Sequence, residues 1–184
     1  MEAEFQCELA LLAFGDLEGA IWDLSSDYEM SEFRMRQNRF WLSLQGFLIS
    51  SANLSKLLWP NSNRKVFIRK RGEELRDSVG VTESSPINSR DLRNHLEHFD
   101  ERLEEWTSLG IGMVKRCIGG TGSFDVLNPM ACLGTFNQET FTFKFHHDTL
   151  DLRPLRDAID ALREMPHGKV ERGRCIDILC SPRQ

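Results

Sequence analysis

Arg93-Asn94-His95-Leu96-Glu97-His98 is the string in this chain whose residue types and spacing could do chemistry. Cleaving RNA without a metal takes a base for the ribose 2′ proton and an acid for the leaving oxygen. It also takes a cation on the phosphate as charge builds there. An imidazole such as His98, with an ordinary pKa of about 6.5, suits the proton work. A guanidinium such as Arg93 grips phosphate oxygens in pairs. The same residues have a plain structural use as well, because Arg93 and Glu97 stand at the i, i+4 spacing of a helical ion pair.

The element that must carry them is a helix over about 89–107, with Asn88 and Asp91 resembling a capping box at its start. Leu92, Leu96, Phe99, Leu103 and Trp106 recur at intervals of four and three, a seam that faces a core. Five steps of about 100° leave Arg93 and His98 roughly 140° apart, one on each side of that seam. One helix struggles to aim both at a single phosphate. Two copies facing across a two-fold axis can do so, and the motif therefore implies a homodimer.

Other elements frame it. Helical spacing of Leu9, Leu12, Ala13, Ala20, Ile21 and Leu24 predicts a helix over about 4–25. A long helix over about 32–58, with Ser31 as its N-cap, carries Phe40, Trp41, Leu44, Phe47, Leu48, Leu54 and Leu58 on one broad face. A short helix follows over about 66–79, then a loop over 82–88. Beyond Gly110, strands are expected at about 113–118, 130–136 and 140–146, the last two as a hairpin turning on Asn137-Gln138-Glu139. In the last strand Phe141, Phe143 and Phe145 alternate with Thr140, Thr142 and Lys144. A final helix runs over about 152–165, with Leu155, Ile159 and Leu162 inward. The expectation is one mainly α domain over 1–184, a helical bundle with a small antiparallel β-hairpin between the motif helix and the last helix.

Composition narrows the function. The net charge of −5 excludes a uniformly basic nucleic-acid binder but leaves room for a local patch. Arg64, Lys65, Arg69, Lys70 and Arg71 form such a patch with no acid among them, to be read as an RNA track or as an ordinary solvated surface. Gln45 and Asn53 lie on or beside the apolar face of the long helix, as satisfied buried polar groups or as supports behind the site. The five cysteines, odd in number and without a Cys-x-x-Cys pair, read as reduced thiols of a cytoplasmic protein. With no apolar run approaching the ~20 residues of a membrane span, no membrane partner is expected. The histidines and cysteines make no convincing metal set, and no cofactor is expected. Gly119-Gly120-Thr121-Gly122 lacks the Gly-Lys-Ser/Thr of a phosphate loop and reads as a linker.

Arg-x4–6-His with a polar residue after the Arg resembles the signature of the HEPN superfamily of helical ribonucleases and nucleotide-binding domains. Leu92 to Leu103 is similar to an uncharacterised bacterial HEPN-like group. Segments around Phe40–Lys56, Thr135–Phe143 and Asp151–Leu155 fit the same group, so the resemblance covers roughly residues 40–163. It implies a helical bundle, dimerisation and metal-independent RNA cleavage, with Arg93 on the phosphate, His98 in acid/base work and Asn94 positioning. It equally admits a non-catalytic module that binds nucleotide, nucleic acid or a partner protein.

Overall fold

In the computed structural model, residues 2–25, 29–89, 99–108, 114–120, 132–145 and 148–164 are described. They are mostly helical, with one four-stranded mixed sheet. Helix α1 (Glu2–Ser25) and the 29-residue α2 (Met30–Leu58) form an antiparallel pair. Leu17, Leu44, Phe47, Leu48 and Leu54 are almost wholly buried within it. Gly46 lets the two backbones approach, since a Cβ there would stand 3.3 Å from that of Ala13. The N-cap of α2 is Glu29 rather than Ser31, and it caps without a side-chain bond. Its carbonyl accepts from the Glu32 amide at 2.9 Å, while the Ser31 hydroxyl leans 3.5 Å from the Glu29 carboxylate.

Trp59-Pro60 ends α2, and α3 (Val66–Ser78) folds back beside that end. Gly72 makes the approach: a Cβ there would meet Pro60 Cδ at 2.5 Å and the Leu58 carbonyl oxygen at 2.9 Å. Residues 79–89 form a loop, and the further described elements are α4 (Phe99–Ser108), β1 (Val114–Gly119), β2 (Cys132–Asn137), β3 (Thr142–Phe145), β4 (Asp148–Asp151) and α5 (Leu152–Glu164).

The sheet differs from the two-stranded hairpin expected at about 130–146. It runs β1-β2-β3-β4, with β1 parallel to β2 and the other neighbours antiparallel. β3 starts at Thr142 rather than Thr140, because Asn137 Oδ1 accepts the amides of Glu139 and Thr140 (2.9 and 3.2 Å) and turns the chain first. Phe141 closes this turn at φ +56°, a strained conformation for a bulky residue. Burial holds it there, its ring centroid 5.7 Å from those of both Phe14 and Phe136 and beneath the Arg153 guanidinium at 4.5 Å. The aromatic layer continues through Phe40 and Phe136, 4.9 Å apart, so the sheet's inner face packs on α1 and α2. Helix α5 closes the core with Leu152, Leu155, Ile159 and Leu162, and packs on α1.

Candidate functional site

Arg93, Asn94 and His98 fall outside the described residues, as do all five histidines. What is described is the frame on either side of them. On the upstream side the frame is a polar hub on Glu83. The Trp59 indole donates to Glu83 Oε2 at 2.8 Å, and Arg76 Nε stands 3.4 Å from Oε1. Asn88 donates its amide to the Glu83 carbonyl and to Oε2, at 3.1 and 3.0 Å. Arg76 also lies over the Trp59 ring at 5.5 Å and donates to the Leu58 carbonyl. The loop that leads to the motif is thereby tied to the end of α2 and to α3. Asn88 donates its amide to Glu83, and the capping box expected with Asp91 lies outside the described residues. Spacing gave no signal for this hub, because its members come from 59, 76, 83 and 88 and meet only through the fold.

On the downstream side is α4, where Trp106 is buried and Leu103 half-buried, as the expected seam requires. Its outer surface is acidic: Asp100, Glu101, Glu104 and Glu105 are all exposed.

The five basic residues lie together in an exposed patch. Arg64 and Lys65 precede α3, and Arg69, Lys70 and Arg71 project from it. Lys70 faces Glu74 at 3.9 Å, and both are well exposed. Arg64, Lys65, Arg69 and Arg71 have no ion-pair partner among the described residues. Two apolar side chains stand within the patch, Val66 at 70% and Phe67 at 63% exposure. On a helix Phe67 is next to Lys70 (i+3) and Arg71 (i+4), so an exposed ring is flanked by cations. The sequence reading named the charges and missed the ring.

Gln45 is exposed rather than buried, on the outer side of α2. Asn53, also exposed, donates to Gln6 Oε1 on α1 at 3.3 Å. The polar residues buried in α2 are instead Ser50, Ser51 and Ser55. Ser51 returns its hydroxyl to the Phe47 carbonyl at 2.7 Å, whereas Ser55 Oγ has no hydrogen-bond partner among the described residues.

Cys7, Cys117 and Cys132 are free thiols; Cys175 and Cys180 lie outside the described residues. Burial pushes the Cys7 thiol up to about 11. Cys117 is pushed up to about 12 by burial and by the Cys132 thiol, whose sulfur is 2.9 Å away. No cluster of His, Cys, Asp or Glu among the described residues could hold a metal ion. No helix among them is long and apolar enough to cross a membrane.

The chain matches no protein-family model, no curated protein and no solved structure.

Proposed function

We propose that this protein is a metal-independent endoribonuclease of the HEPN type, acting in the cytoplasm as a homodimer with a composite site. Arg93 holds the scissile phosphate, His98 moves the proton and Asn94 positions the substrate. In this reading the helices form the HEPN bundle, and the β2–β3 pair lies between the motif helix and α5. The observation that carries an RNA substrate is the exposed patch Arg64–Arg71. It combines exposed cations, which attract phosphates, with an exposed ring at Phe67, on which a base can stack.

Cleavage of mixed-sequence RNA tests the proposal. Activity should persist in chelator and leave 2′,3′-cyclic or 3′-phosphate ends, because the attacking group is the ribose 2′ hydroxyl; DNA should remain intact. His98→Ala should cost about 10² or more in rate, the scale of a lost general acid/base. Arg93→Lys should also be poor, since an ammonium keeps the charge but loses the bidentate grip. Activity unchanged in His98→Ala ends the mechanism.

One observation favours a second reading, a non-catalytic module that binds nucleotide, nucleic acid or a partner protein. The four exposed acids on α4 begin two residues after His98 and would repel an RNA backbone. A folded wild-type protein that cleaves none of a varied RNA set would establish that reading over the first.

A further inference from the structure

The α1/α2 pair turns one side to the sheet and α5, and its other side carries large apolar residues in water. On α2 these are Met35, Leu42 and Ile49, each 46–70% exposed; on α1 they are Phe5, Leu12 and Trp22, at 52%, 65% and 75%. Met35, Leu42 and Ile49 recur every seven residues and Phe5 and Leu12 stand seven apart, the period of a seam that packs against another helix, while Trp22 stands apart from it.

The two seams share one face. The Gln6–Asn53, Ala13–Gly46 and Asp23–Arg36 contacts fix the line along which the helices meet and their antiparallel register. At about 100° per residue, Phe5 and Leu12 lie about a quarter-turn from that line on α1, on the side away from Phe14 and Cys7. Met35, Leu42 and Ile49 lie about a sixth of a turn from it on α2, on the side away from the buried Phe40 and Phe47. Because the helices are antiparallel, both displacements lead to the same outer surface.

Charge is divided across that surface. Helix α1 has Glu2, Glu4, Glu8, Asp16, Glu18 and Asp23 and no base. Helix α2 has Arg34, Arg36, Arg39 and Lys56 against the single acid Glu32. A second copy rotated about a two-fold axis parallel to the helices lays each α1 against the other α2. Acid then meets base, apolar seam meets apolar seam, and neighbouring helices run antiparallel. This is the self-complementarity an isologous interface requires. From Met35 to Asn53, which lies level with Gln6 at the Phe5 end of α1, the face is about 27 Å long, and two helices are about 20 Å across. That projected face, on the order of 500 Å² per copy, approaches the ~800 Å² of accessible surface per partner in a standard interface.

We infer that the outer face of α1 and α2 is a homodimerisation surface, closing an antiparallel four-helix bundle with a second copy of this chain. It uses neither Arg93 nor His98, and so stands whether or not the protein cleaves RNA. If the composite site also forms across its own two-fold axis, the two interfaces together make a tetramer.

Sedimentation of the full chain at micromolar concentration tests this. Leu42→Glu should halve the assembly mass, with association weakened by about 100-fold or more, because a central anchor is lost twice in a symmetric interface. Leu42 is 70% exposed in the protomer, so the circular dichroism and melting of the dissociated chain should remain those of a folded protein. His98→Ala should leave the mass unchanged. A monomeric wild type, or a mass that Leu42→Glu leaves unaltered in a folded protein, overturns the inference. In the latter case the seam is covered by another segment of the chain or by a different protein.

Discussion

A cysteine in the first turns of α1 gives the molecule a specific alkaline weakness. Cys7 is 1% exposed, and burial raises its pKa from 9.0 to about 11. Below about pH 9 the thiol is protonated in both the folded and unfolded chains and contributes no pH dependence. Between about 9 and 11 the unfolded chain releases the proton while the folded one keeps it, so stability falls as pH rises through that window. Urea midpoints taken at about pH 8 and 10.5 should therefore separate more in the wild type than in Cys7→Ala. Equal separation would mean that the thiol does not ionise on unfolding in that range. Glu83 is the other residue whose effect outruns its position. Glu83→Ala removes the carboxylate that accepts from the buried Trp59 indole, while Asn88 keeps its bond to the backbone carbonyl of residue 83. A destabilisation of about 1–3 kcal/mol is expected, the scale of an orphaned buried donor. Hydrogen exchange should show the extra opening concentrated in residues 79–89; a loss spread evenly over the chain would count against a local tie.

At the scale of elements, legibility follows the length of the pattern. Helices α1, α2 and α3 begin and end within two residues of where apolar spacing, Trp59-Pro60 and the Thr82–Asn88 loop place them. Each has enough turns for a 3.6-residue period to repeat. The sheet was only half legible. Phe143 and Phe145 point inward as their alternation implies, but β4 is four residues long and too short to show a period. The parallel pairing of β1 with β2 depends on a crossover, and no local signal records one. The Arg93–His98 segment stood out by residue type and spacing alone, and its geometry lies outside the described residues. The patch on α3 was legible as charge, while Phe67 was not, because a lone aromatic in a short helix reads as core. Phe141 offers a test of how the sheet is held. Phe136→Ala removes an unstrained, fully buried ring and should cost about 3–5 kcal/mol. Phe141→Gly removes a buried ring but also relieves the φ +56° backbone, and should cost about 1–3 kcal/mol less in the same denaturation experiment.

For the whole molecule, every core element converges on one aromatic layer, so α1, α2, the sheet and α5 should unfold together. Coincident transitions by tryptophan fluorescence and far-ultraviolet circular dichroism are the expected result, and a separate early loss of strand signal would contradict it. The order of the sheet has a further effect at this scale. Among the described residues β4 is an edge, with one row of backbone amides and carbonyls that no neighbouring strand covers. Such a row invites a foreign strand to extend the sheet, which is how fibrils grow. The sequence of β4, Asp-Thr-Leu-Asp, places a carboxylate at each end of four residues. A chain adding there in register would bring like charges against one another at every layer. The two carboxylates that bound this short strand are thus what keeps it from seeding polymers, and replacing both aspartates with valine should convert a quiet rim into a template for aggregation.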